Sequence, residues 1–134
     1  MMPILVPLVA AILPFALWPV ELVFPFPAPL EELAKVGLVL VILGEGRRSV
    51  ALSLLVASGV LFSFSETVLY SVSLLWAGEG TIFFVRLGLT TVLHAGTLIL
   101  MWSVAQVDRR LLPVGLLAAI GLHAWYNATV SLAG

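Results

Sequence analysis

The chain has 134 residues, 62% of them hydrophobic and 10% charged, and a mean hydropathy of +1.21, which excludes an ordinary soluble globular domain. A formal net charge of −1 without any basic run gives no footing for a nucleic-acid partner. The absence of cysteine excludes a disulfide framework and a thiolate metal site. What remains is a single all-α domain over residues 1–134, a polytopic transmembrane helical bundle whose solvent is lipid.

Five apolar stretches, bounded by charge, Gly or Pro, place spans at about 2–23, 30–44, 49–77, 81–105 and 111–132. The first carries Pro3, Pro7, Pro14 and Pro19, which predicts a kinked or broken helix near Pro14. It lacks the positive n-region and small-residue cleavage site of a signal peptide, so it reads as a span. Phe24-Pro-Phe-Pro-Ala-Pro29 reads as irregular and delivers the chain into the second span at Leu30. Arg47 and Arg48 follow the second span, and Arg109 and Arg110 follow the fourth. The other two loops carry neither Lys nor Arg, so the positive-inside rule puts the N-terminus in the cytoplasm and the C-terminus outside.

That orientation gives depth a meaning. The second span, Leu30–Leu43, covers only about 21 Å at 1.5 Å per residue, against a hydrocarbon core of about 30 Å. With Arg47 and Arg48 at the cytoplasmic surface, Glu31 and Glu32 at its other end are recessed beneath the outer surface, beside the Pro-rich loop. Irregular backbone at such depth needs protein or a water-filled cavity next to it. Glu66, His94, His123 and Asn127 reach the same layer if the long third and fourth spans tilt or extend.

A charged group at mid-bilayer costs on the order of 2.5–3.5 kcal/mol, so ionisable residues inside spans face the protein interior and serve a function. Helical spacing places them on coherent faces: Gly59, Phe62, Ser63, Glu66, Tyr70 and Ser73 in the third span; Arg86, Thr90, His94 and Thr97 in the fourth; Gly115, Ala119, His123, Asn127 and Ser131 in the fifth. Small and hydroxylated members of these stripes suit helix packing. Glu31 with Lys35 forms a supportive i, i+4 pair at a helix start, where acidic residues also favour the dipole. A recessed carboxylate pair also suits a general base acting on water. Glu66 at mid-span needs a partner, with Arg86, His94 and His123 as the candidates and an ion pair with Arg86 as the bland reading; His123 and Asn127 share a face as donors suited to a developing oxyanion. Asn127-Ala-Thr129 matches a glycosylation pattern but lies inside a span.

Glu31, Glu32 and Glu66 against Lys35 and Arg86 leave one negative charge when the histidines are neutral. A protonated Glu, a charged His or a bound cation removes it. Glu31, Glu66, His94 and His123 form an adequate Zn²⁺ ligand set, although no local H-E-x-x-H spacing is present and a metal-free mechanism stays open.

The order Glu31-Glu32-x-x-Lys35, Phe62-x-x-x-Glu66, a mid-span His94, then His123-x-x-x-Asn127 resembles the PrsW family of intramembrane proteases, which is related to the CAAX-prenyl endopeptidase group (CPBP). The resemblance covers residues 31–127 and departs at Thr67, where the family usually has Asn after the Glu. It implies a catalytic centre of Glu31, Glu32, Glu66, His94 and His123, with Asn127 assisting His123 at the oxyanion. It also implies cleavage of membrane-embedded or membrane-adjacent peptide substrates on the outer face of the cell membrane. A transporter using the cluster as an ion or proton relay and a non-catalytic scaffold subunit are the alternatives.

Overall fold

A computed structural model describes residues 2–133, with side-chain environments over 5–129. It is helical with no strand among the described residues: α1 (Met2–Glu21), α2 (Pro27–Ile42), α3 (Arg48–Trp76), α4 (Gly80–Val107) and α5 (Leu112–Ala133), the last entered through a 3-10 turn at Arg109–Leu111. α3, α4 and the stretch Arg109–Thr129 are long and apolar enough to cross a membrane; Leu5–Glu21 is apolar but shorter. By length and composition this is an integral membrane protein. The Ser131 end of the predicted stripe in α5 lies outside the described side chains.

α1 runs as one helical element through Pro7, Pro14 and Pro19, so of the kink or break predicted near Pro14 the break is absent. Each proline removes one N–H bond, and neighbouring helices re-satisfy freed groups when a span is packed in protein; Pro14 is buried, and α1 lies along α3 and α2.

The second difference concerns α2. Pro27, Ala28 and Pro29 form its first turn rather than an irregular lead-in. The first-turn N–H groups have no intrahelical acceptor, so proline loses nothing there and its fixed φ is already helical. Glu31 and Glu32 consequently stand in the second turn, buried, and do not cap the helix.

The packing is inside-out relative to a water-soluble protein. Leu, Val, Ile, Phe and Trp side chains on every helix face outward, while Glu31, Glu32, Lys35, Ser63, Glu66, Thr67, Thr90, His94 and His123 are buried. α3 packs most extensively on α4 and α1, and α5 closes the bundle against α4 and α2. An apolar core of Leu38, Val39, Ile42, Leu55, Leu98 and Met101 fills the end of the bundle nearer Arg47 and Arg109; Phe62 and Ala119 carry it towards the polar groups.

Small residues set the helix spacing. A Cβ added at Gly59 would stand 2.5 Å from both the Cα and the N of Ala95, so Gly59→Ala must push the α3 and α4 backbones apart. We expect a loss of about 1–3 kcal/mol for that overpacking, read as a lower midpoint in chemical denaturation of the detergent-solubilised protein. At Gly115 the nearest atom is Met101 Cα at 3.3 Å, and Gly115→Ala should be milder. Equal midpoints for wild type and Gly59→Ala would show that the close approach does not exist.

Candidate active site

The C-terminal ends of α1, α3 and α5 and the N-terminal ends of α2 and α4 gather at one end of the bundle, opposite Arg47, Arg48, Arg109 and Arg110. A cavity of about 530 Å³ opens there, walled by Trp18, Glu21 and Leu22, by Pro25, Pro27 and Glu31, by Glu66 and Tyr70, and by Arg86, Tyr126 and Asn127. Behind it, α2, α3, α4 and α5 bring five of the predicted site residues, Glu31, Glu32, Glu66, His94 and His123, into one buried cluster with Lys35.

Lys35 is central to that cluster. Its side chain is wholly buried, and its ammonium reaches Glu32 Oε1 at 2.7 Å and His94 Nδ1 at 2.6 Å. It also lies 4.5 Å from the centroid of the Phe62 ring, a cation–π distance. The ion pair is therefore Lys35 with Glu32 at i, i+3, not Lys35 with Glu31 at i, i+4 as the helix spacing predicted.

These contacts assign the histidine tautomers. An ammonium can only donate, so His94 Nδ1 accepts from Lys35 and Nε2–H donates to Glu66; of the three candidate partners for Glu66 the structure selects His94. The carboxylate of Glu32 can only accept, so His123 donates from Nδ1 across 2.8 Å. The Nε2 lone pair of His123 then faces Glu31 Oε2 at 3.9 Å. The two imidazoles meet edge to face with centroids 5.2 Å apart, and Phe62 packs on His94 at 4.8 Å.

Glu31 Oε2 is buried without a hydrogen-bond partner among the described residues. Its 3.9 Å separation from His123 Nε2 exceeds a direct hydrogen bond. It falls between about 3.4 Å, the spacing of two ligands on one tetrahedral zinc, and about 4.6 Å, the spacing of two partners on one water. One ligand atom each from Glu31, His94 and His123 lies within 4.8 Å of the others, so this buried group could hold a metal ion. Glu66 is not part of that group; it holds the far side of the His94 ring. Both nitrogens of His94 are engaged, so ligation by His94 requires release of Glu66 or Lys35.

The remaining predicted residues take the cavity wall. Asn127 lines the cavity one turn beyond buried His123, and Arg86 lines it from the second turn of α4. In α3 the buried face is Gly59, Phe62, Ser63 and Glu66, then Thr67 and Ser71; Tyr70 and Ser73 of the predicted stripe are exposed instead. Ser63, Thr67, Thr90 and Thr91 join α3 to α4 through hydroxyl contacts of 2.6–3.3 Å. Sequence reasoning passed over Glu21, which accepts a hydrogen bond from the Tyr70 hydroxyl and ties α1 to α3 at the cavity mouth. Its signal was available: it is the one charged residue of α1. Tyr126, on the same wall, had no signal beyond its adjacency to Asn127.

Comparison with family models, with curated proteins and with solved structures returned no match to the chain.

Proposed function

We propose that the chain is an intramembrane peptidase of about five spans, in which Glu31 and His123 activate a water for attack on a peptide carbonyl in the cavity. The observation that carries this reading is a buried carboxylate oxygen, Glu31 Oε2, without a hydrogen-bond partner among the described residues, 3.9 Å from His123 Nε2 behind a 530 Å³ cavity. Two acceptors facing one another at that spacing are suited to hold and deprotonate a water. Glu32 fixes the His123 tautomer, Lys35 holds Glu32, and Glu66 holds His94, so both imidazoles have orienting partners. Asn127 lines the cavity, and in this reading it turns its amide to the tetrahedral oxyanion when substrate is bound. The same residues carry the resemblance to the PrsW family.

Zinc is compatible with this donor set: Glu31 and His123, with His94 once it releases Glu66, would hold it, and Glu32 would be the carboxylate behind a ligating His123. Within the buried cluster, with Arg86 left outside it on the cavity wall, three carboxylates against one ammonium leave two negative charges when both histidines are neutral, and a divalent cation offsets them. Bound there, the metal would lower the pKa of water and polarise the carbonyl. Offered zinc, the purified protein should take up about one ion per chain, and His123→Ala should weaken uptake at least tenfold. A folded protein that takes up none leaves Glu31 as the base of a metal-free mechanism.

With the arginine-bearing loops in the cytoplasm, the cavity faces the extracytoplasmic half of the cell membrane, and the substrate is a membrane-anchored peptide or protein. A second reading rests on the unbroken buried chain Glu66–His94–Lys35–Glu32–His123, which could relay protons. Proteoliposomes carrying membrane-anchored reporter peptides separate the two. Release of reporter fragments by wild type, lost in His123→Ala, is the expected result; proton flux with intact reporter would make the protein a transporter.

A further inference from the structure

We propose that Arg86 and the Tyr126 hydroxyl form an anion-recognition subsite in the cavity, so that the peptide bound there presents a carboxylate beside its apolar segment. The identity of the ligand rests on the peptidase reading above; the subsite itself rests on four observations.

Arg86 lines the cavity half-buried, yet its side chain has no ion pair or hydrogen bond among the described residues. The three carboxylates on the same wall are directed elsewhere: Glu21 to Tyr70, Glu66 to His94, Glu31 towards His123. None pairs with the guanidinium. A lone cation about 9 Å along a membrane helix is costly, and it turns into the cavity rather than pairing with its neighbours. Among the described residues the Tyr126 oxygen is likewise buried without a hydrogen-bond partner, and Tyr126 shares the wall. A planar fork of N–H donors with one O–H donor matches a carboxylate.

The charge of the ligand follows from its surroundings. With three carboxylates on the same wall, a singly charged group is favoured over a multiply charged phosphate. Tyr126 is also the shared wall to a second, apolar cavity of about 340 Å³ between α4 and α5, lined by Leu89, Val92, Leu122 and Trp125. Those four side chains are all exposed on the membrane-facing surface. A peptide whose carboxylate is held at Arg86 can lay adjacent apolar residues past Tyr126 into that groove. The carboxylate is either the free C-terminus or an Asp or Glu side chain.

Binding, not cleavage, is the test, so the subsite and the peptidase reading fail separately. Short Leu/Ala-rich fluorescent peptides are titrated into detergent-purified protein in four forms: free C-terminal acid, C-terminal amide, and amides with Glu or Gln near the end. Wild type should bind at least one acid form about tenfold or more tightly than its neutral counterpart, the range of hydrogen bonds to charged groups. The acid form that gains identifies the source of the carboxylate. Arg86→Gln should erase the preference, Arg86→Glu should favour a peptide ending in an ammonium group, and Tyr126→Phe should cut the preference severalfold. Equal binding of acid and amide by wild type overturns the subsite, and needs no variant to fold. So does a preference that survives Arg86→Gln, or Arg86-dependent binding of a short-chain phosphatidylglycerol that exceeds that of any peptide. Acid-selective binding without cleavage leaves the subsite standing and removes the peptidase; cleavage without acid selectivity does the reverse.

Discussion

Lys35→Met should destabilise the protein by about 3–5 kcal/mol, the usual cost of removing one partner from a buried charge pair. Methionine preserves the length and apolar stem of the side chain, so the change isolates the ammonium. That group is wholly buried and donates to Glu32 at 2.7 Å and to His94 at 2.6 Å. Without it three carboxylates share a buried site with no fixed cation, and His94 Nδ1 loses its donor. The double variant Lys35→Met/Glu32→Gln should recover much of the loss, because the two residues belong to one network and their effects are not additive. Chemical denaturation in mild detergent gives both numbers. A Lys35→Met protein within about 0.5 kcal/mol of wild type, the range of an ordinary surface change, would mean the ammonium is not buried where it is placed.

On the proposed peptidase reading, Glu31→Gln should lower the rate of peptide hydrolysis by about 10²–10⁴, the contribution of a positioned general base, while leaving stability near wild type. The reason for the split is local. Glu31 Oε2 has no hydrogen-bond partner among the described residues, so an isosteric amide breaks no bond seen there and removes one buried negative charge. Glu32→Gln should behave differently. Its Oε1 accepts from both Lys35 and His123, so the amide weakens an ion pair and the bond that fixes the His123 tautomer. Stability and rate should then fall together. Single-turnover rates beside denaturation midpoints separate the acting carboxylate from the orienting one. A Glu31→Gln protein that cleaves with the wild-type rate constant would remove Glu31 from the proposed chemistry.

Much of the helix layout was legible because lipid makes hydropathy a direct reading of the solvent. Arg47–Arg48, Gly78–Gly80 and Arg109–Arg110 bound the long helices within a few residues of where the structure has them. The convergence of Glu31, Glu32, Glu66, His94 and His123 was legible for the same reason, since apolar surroundings leave such groups only one another as partners. What was not legible is who pairs with whom. On a helix, i+3 and i+4 are both reachable from Lys35; His94 on α4 and His123 on α5 select Glu32, and neither is visible from α2 alone. Glu66 likewise turns to His94, one residue before the Gly59–Ala95 approach that brings α3 against α4. The start of α2 was misplaced because proline was read as a breaker where, in a first turn, it is an initiator. The upper part of α3 buries Thr67 and Ser71 rather than Tyr70 and Ser73, since α3 packs on α1 as well as α4 and no single stripe describes two contacts.

The most direct measurement is hydrolysis of a membrane-anchored reporter in H₂¹⁸O by the reconstituted wild type beside Glu31→Gln, with products read by mass spectrometry. The expected result is a new carboxyl terminus carrying the heavy oxygen in the wild-type reaction and almost none in the variant, both proteins being folded. Intact reporter from folded wild type across a varied reporter set, or labelled product formed equally by Glu31→Gln, would contradict a water-activating role for the cluster.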